Sequence, residues 1–248
     1  MEYYIYMIAS ILILPCVIYG FFVSNKVNKT FNAYKSVNAT CNKTAKEVAE
    51  SMLNTAGITN VRIEKISGNL TDNYNPRTKV LILSDSTYNS TSVAAIGVAA
   101  HEVGHAIQHH QNYAPVKIRT GIVPFVNLFS RLALPILVVG MVLDILSIST
   151  ETGLISNNIG EVLIWIAVAF YASSTIFALV TLGVEKDASK RALENLNSQQ
   201  LLTYEELPQA KSVLDAAGKT YFASLLISFV YFLRFLSYAL IFLGRRKD

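Results

Sequence analysis

Charge is the scarcest commodity in this chain of 248 residues. Asp, Glu, Lys and Arg make up 15% of it, against about 25% in an ordinary globular domain. The apolar residues, 52% of the total, fall in long blocks, and mean hydropathy is +0.39. This excludes a disordered chain and indicates an integral membrane protein. Cysteine is nearly absent, with two residues, which excludes a disulfide-built secreted scaffold. Cys16 lies in an apolar run and Cys41 in a polar one, so the two are not expected to pair. No strongly basic cluster exists either. The net charge of +4 is mild and dispersed, which argues against nucleic acid as a partner. No Lys or Arg precedes the first apolar run and no A-x-A site follows it. That run reads as an uncleaved anchor and not as a signal peptide.

Four apolar stretches reach the roughly 20 residues needed to cross a bilayer. They are residues 4–23, 123–146, 162–184 and 221–243. Pro124 and Pro135 flank Arg131, so the second span is expected to start near Leu132 and leave Arg131 at the interface. Arg234 sits inside the fourth stretch, which is therefore expected to be tilted, broken or surface-lying, with a structural or interfacial arginine. Eleven Lys and Arg fall between the first and second stretches, none in residues 147–161, and five between the third and fourth (Lys186, Lys190, Arg191, Lys211 and Lys219). Positive loops stay cytoplasmic, which places both large polar regions in the cytoplasm and the short loop outside. The tail Arg245-Arg246-Lys247 runs against this pattern if all four stretches cross.

Residues 24–60 read as one helical region with a stripe from Thr30 through Val37 and Cys41 to Met52, stopping at Ala56-Gly57. Val61–Ile66 alternates like a half-buried strand, and Lys79–Ser84 forms a second. Asn73, Asn75 and Pro76 mark a loop between them. The strand at 79–84 is expected to offer an edge to an extended substrate. Ser90-Thr91-Ser92 offers a cap for a helix over Val93 to His110.

That helix carries His101-Glu102-Val103-Gly104-His105. A spacing of i, i+4 puts both imidazoles on one face, about 6 Å apart along the axis. Two such nitrogens can bind one zinc ion at about 2.0–2.1 Å. Glu102 is placed to serve as general base and then to protonate the leaving amine. The motif lies in an otherwise apolar helix, and three polar groups there call for a compensating function. His109 extends the face to i+8, but about 12 Å along the axis separates it from His101, too far for the same ion. The third ligand must come from elsewhere on the same side of the membrane, which sets aside Glu151 and Glu161. Glu185, where the third span ends, is the foremost candidate, with Asp187 the alternative.

These residues resemble a known family, the small membrane-bound bacterial zinc metallopeptidases of the YugP type, described as putative neutral zinc metallopeptidases. The resemblance covers nearly the whole chain. It rests on the N-terminal anchor, Gly68-Asn69-Leu70-Thr71-Asp72-Asn73-Tyr74, the tract Val98 to Gln108, Tyr113-Ala114-Pro115, and Val184 to Ala192. More distantly the chain is similar to the HtpX-type membrane gluzincins. Their third ligand is the first residue of a Glu-x-x-x-Asp pattern, which corresponds here to Glu185. Ser189 stands where that pattern has aspartate.

The resemblance implies a membrane-embedded zinc endopeptidase in a bacterial cell membrane, active on membrane-associated or misfolded proteins. The expected fold is mainly α, with about four transmembrane helices and a small α+β zincin-like domain on the cytoplasmic side. The expected divisions are an anchor at 1–23, a metallopeptidase region at 24–121, two membrane helices at 122–184, a polar helical region at 185–220, and a membrane segment with a basic tail at 221–248. Zn2+ is the expected cofactor, and His101, His105 and Glu185 the expected ligands. His109, Tyr113, Arg191 and Asp187 are candidates for steadying a ligand or the oxyanion. Expected partners are a protein or peptide substrate and the lipid bilayer, and the sequence carries no signal for oligomeric state. The competing reading is a non-catalytic zinc-binding scaffold or partner-binding protein, which a fourth protein donor would mark. A transporter, suggested by Arg131 and Arg234, is disfavoured because the histidine motif lies on a polar-loop helix.

Overall fold

The computed structural model describes residues 1–149 and 159–244. Most of the short loop at 147–161 and the basic tail at 245–248 therefore lie outside the described residues. The order of elements is α1 (Glu2–Tyr34), α2 (Ala45–Thr55), β1 (Arg62–Ile66), β2 (Asn73–Asn75), β3 (Val80–Ser84), α3 (Val93–His110), α4 (Ala114–Ser149), α5 (Ile159–Ser198) and α6 (Leu207–Gly244).

Helices α1, α4, α5 and α6 are each long and apolar enough to cross a membrane. With 33 to 40 residues at 1.5 Å per residue, they are about 50–60 Å long, nearly twice the hydrocarbon thickness. Helix α4 begins at Ala114, well before Leu132. Both Pro124 and Pro135 lie inside α4, a placement that membrane helices tolerate when neighbouring groups satisfy the freed carbonyls. The fourth stretch is not broken either, since α6 continues unbroken to Gly244.

The chain divides into two compact units. One comprises Met1–Gly20, Arg119–Thr181 and Phe222–Asp248. Its large apolar side chains point outward, Ile11, Leu14, Leu134, Val138, Val162 and Ile176 among them, as a lipid-facing surface requires. Its interior mixes large side chains such as Leu137, Ile164 and Val230 with small residues at close helix contacts. A methyl group on Gly160 would fall 2.5 Å from the backbone nitrogen of Asp144, so α4 and α5 approach closely there, as small residues permit in membranes. Arg234 lies over the ring of Tyr6, 5.6 Å from its centroid. This cation–π contact compensates part of the cost of a membrane-embedded charge.

The second unit comprises Phe21–Ile118 and Leu182–Tyr221. Its core joins Val48 and Met52 of α2, Leu81 and Leu83 of β3, Ile96 and Val103 of α3, Leu196 of α5 and Leu214 of α6. The helical region expected over 24–60 is two helices. Residues 35–44 leave the helix, and Asn38 bridges to Ser92. Thr44 then caps α2 in a capping box with Glu47. Val37 and Cys41 still pack against the core, which explains why they mimic a helical stripe.

The sheet has three strands in the order β1-β3-β2. The segment Asn73–Asn75, expected as loop, pairs antiparallel with β3, Tyr74 opposite Leu81. On its other side β3 pairs parallel with β1. Both edges of β3 are thus occupied, so this strand has no edge to offer a substrate. The free edges belong to β1 and β2. Asp72 fastens the turn before β2 by accepting hydrogen bonds from the Ser84 N–H (2.8 Å), the Ser84 hydroxyl (2.9 Å) and the Thr87 hydroxyl (3.2 Å).

Candidate metal centre

Helix α3 begins where the Ser92 hydroxyl accepts a hydrogen bond from the Ala95 N–H. Its residues are almost wholly buried, and all four histidines of the chain lie on it. It crosses α5 at Gly104. A Cβ there would stand 2.4 Å from the carbonyl oxygen of Ala188, closer than any side chain permits. Glycine at this one position lets the two backbones touch, and the contact brings the turn at Glu185–Ser189 against His101 and His105.

The result is a cluster of three side chains. Glu185 Oε2 lies 3.2 Å from His101 Nε2 and 3.4 Å from His105 Nε2. All three candidate donor atoms lie within 4.8 Å of one another. Four ligands at 2.0–2.1 Å from a tetrahedral zinc are about 3.3 Å apart. Two of the three separations therefore match an edge of that tetrahedron, and two imidazoles with one carboxylate are a donor set suited to zinc. Among the described residues, the group of His, Cys, Asp and Glu side chains able to hold one ion stops at these three.

The outer nitrogens of both imidazoles are engaged. His101 Nδ1 is 3.1 Å from the Ser189 hydroxyl, and His105 Nδ1 is 3.0 Å from Gln108 Oε1. Gln108 Oε1 only accepts, so it holds the proton on His105 Nδ1 and leaves Nε2 free to ligate, while the Ser189 hydroxyl orients the His101 ring. Gln108 is fully buried. Its amide donates to the Val184 carbonyl and to Asp187 Oδ2, both at 2.8 Å. Arg191 donates to Asp187 and to Gln111 and lies 5.2 Å from the centre of the Tyr113 ring. Asp187 thus reaches His105 through Gln108, and Arg191 and Tyr113 follow one link further out. His109 packs its ring against Tyr74 of β2, with centroids 5.8 Å apart.

Sequence reasoning does not single out Ser189 as a partner of His101 or Gln108 as a partner of His105. The periodicity holds a signal for both. Ser189 is four residues after Glu185, and Gln108 three after His105, so each shares a helical face with its neighbour.

Electrostatics sharpen the picture. Burial pushes the Glu102 carboxyl above its usual range, only partly countered by the two histidines. Burial works against a charged His105, but hydrogen bonding to Glu185 and the charge of Glu102 outweigh it and raise its affinity for a proton. Burial would likewise raise Glu185, yet the imidazoles of His101 and His105 hold it well below the usual carboxylate range. Glu185 is therefore an anionic, 3% exposed oxygen donor facing two imidazoles.

The model of a family described as putative neutral zinc metallopeptidase matches residues 9–240. A relative from Bacillus subtilis (strain 168), the "Putative membrane protease YugP", is 34% identical over 229 residues, which cover 92% of this chain and 94% of that protein. No solved structure matches. With two imidazoles and a carboxylate gathered at zinc spacing and four membrane-length helices around the sequence that supplies them, the chain belongs to the putative neutral zinc metallopeptidase family of membrane proteins.

Proposed function

We propose that this protein is a membrane-embedded zinc endopeptidase of the gluzincin kind, with His101, His105 and Glu185 as ligands and Glu102 as general base. The observation that carries the reading is the spacing of Glu185 Oε2 from the two Nε2 atoms, 3.2 and 3.4 Å. Zinc held there supplies a Lewis acid that polarises the scissile carbonyl and makes water a better nucleophile near neutral pH.

The side chains of the chain do the rest. Ser189 and Gln108 hold the imidazoles with Nε2 aimed at Glu185. The Glu102 carboxylate takes a proton from the attacking water as the new C–O bond forms. It returns that proton to the amide nitrogen as the C–N bond breaks, so the amine leaves neutral. Its burial favours such a shuttle, because a desolvated carboxylate binds a proton more readily.

The substrates under this reading are membrane-associated or misfolded proteins, and the active site faces the cytoplasm, as the excess of Lys and Arg in both large polar regions supports. The scaffold reading wants a fourth protein donor, and among the described residues none joins the three. The test is Glu102→Gln in full-length protein purified in detergent. Zinc content should stay near one per chain, while cleavage of an unfolded protein substrate falls by about 10²–10⁴-fold. Undiminished cleavage by the variant refutes the assignment.

A further inference from the structure

Five lysines lie close to the ends of the four apolar runs: Lys26 and Lys29 on α1, Lys117 on α4, Lys186 on α5 and Lys219 on α6. Each is two to six residues from its run, an axial distance of about 3–9 Å. All five belong to the unit that holds the three-residue cluster, and all are exposed. Contacts inside that unit level them in pairs. Phe31 of α1 and Val213 of α6 share one apolar cluster. From there Lys26 is five residues and Lys219 six residues towards the apolar runs. Arg191 of α5 lies over the ring of Tyr113, just before α4, 5.2 Å from its centroid. From there Lys186 is five residues and Lys117 four residues towards the runs.

Nothing nearby cancels this charge. Residues 21–46, 103–143 and 216–244 contain no Asp or Glu. On α5, Glu185 is buried among the imidazoles and Asp187 is held by Arg191. None of the five lysines forms an ion pair among the described residues. Further from the runs on the same helices, Lys190 pairs with Glu194 and Lys211 with Asp215. The polar layer of a bilayer is about 5–8 Å thick on each side, and charges act over about 8–10 Å at moderate salt. The five ammonium groups thus stand where lipid phosphates lie. A positive excess sets which side a loop occupies, but unpaired lysines at one depth on all four helices also favour lipid charge, by about fivefold each. We infer that they form a docking surface for the headgroups of anionic phospholipids. That contact seats the polar unit on the membrane with Glu185 at headgroup depth, since Lys186 directly follows it.

The test is lipid binding by full-length protein in an uncharged detergent. It is read from the fluorescence anisotropy of acyl-labelled phosphatidylglycerol and phosphatidylcholine with the same chains. At low salt the anionic lipid should bind about tenfold more tightly or better, and about 0.5 M salt should cut that preference roughly threefold or more. The triple variant Lys26→Gln, Lys117→Gln and Lys219→Gln should weaken phosphatidylglycerol by about tenfold or more and phosphatidylcholine by less than about twofold. Lys186 stays in place there because it adjoins Glu185. The control triple Lys35→Gln, Lys43→Gln and Arg77→Gln removes the same charge twelve or more residues from any run. It should weaken phosphatidylglycerol by less than about threefold. All six side chains are exposed, so both triples should unfold at the wild-type temperature. Equal binding of the two lipids to the wild type, or equal weakening of phosphatidylglycerol in the two triples, overturns the docking surface. Displacement of the lipid by glycerol phosphate or polyglutamate of equal charge assigns the lysines to a soluble anion and overturns it too.

Discussion

Replacing Gly104 by alanine is the most incisive single perturbation of the metal centre, because it changes no donor. The new methyl would lie 2.4 Å from the Ala188 carbonyl oxygen, 3.1 Å from its carbon and 3.3 Å from the Ala188 Cα. All three are backbone atoms, so no side-chain rotation relieves the clash. Reaching ordinary contact at 3.4 Å requires α3 and α5 to part by about 1 Å locally. Overpacking of this kind costs about 1–3 kcal/mol of stability. The displacement separates His101 and His105 from Glu185, and zinc–ligand distances tolerate only about 0.2 Å. Zinc affinity should therefore fall at least tenfold, about 1.4 kcal/mol or more. Competition against a chromophoric chelator measures this in detergent, with thermal unfolding recorded in parallel. Gly183→Ala is the control. It lies on α5 two residues before Glu185, and its added methyl meets nothing within 4 Å, so zinc affinity should stay put. Wild-type zinc affinity in Gly104→Ala would refute the idea that this crossing sets the ligand geometry.

Gln108→Leu removes the acceptor at His105 Nδ1 and one donor each from the Val184 carbonyl and from Asp187, which keeps its bond from Arg191. Zinc affinity should drop about 10–100-fold by the same chelator assay. Ser189→Ala should also weaken zinc, but by about tenfold at most, since His101 loses a single neutral partner. Glu206 predicts an acid sensitivity away from the metal. Burial works to raise its carboxyl, but the Thr203 N–H and the hydroxyl and N–H of Thr40 hold it below its ordinary value. A group depressed in the folded state adds stability above its unfolded value near 4.5, and that contribution disappears as pH falls through the folded value. Glu206→Gln should lower thermal stability at pH 7 and flatten its decline below pH 4.5, measured on zinc-free wild type and variant alike.

Sequence and structure agree wherever the local physics is self-sufficient. Ser92 followed by an unbroken apolar run gives the bounds of α3, and the i, i+4 spacing shows His101 and His105 on one face. The apolar runs give the four long helices. Glu185 stands out because it is the first charged residue after an uncharged span over residues 162–184. Other features escape because their cause lies far along the chain. The strand at Asn73–Asn75 is short and polar, with no alternation to announce it, and it forms because β3 supplies partners. Residues 35–44 carry apolar positions at helical intervals, yet a bridge to Ser92 and a hydrogen bond from Thr40 to Glu206, 166 residues on, draw the chain out of the helix. The role of Gly104 is equally invisible from within α3, since the atom that forbids a Cβ belongs to Ala188.

The distance along the chain between His101 and Glu185 has a consequence for biogenesis. Glu185 follows His101 by 84 residues, and α4 and the apolar part of α5 intervene. At about 5–20 residues per second, a ribosome needs roughly 4–17 s to make that stretch. During that interval the nascent chain has His101, Glu102 and His105 but not Glu185, so the three-residue cluster is incomplete. On the protease reading proposed above, hydrolytic power would arrive only after α4 and the apolar part of α5 have been made.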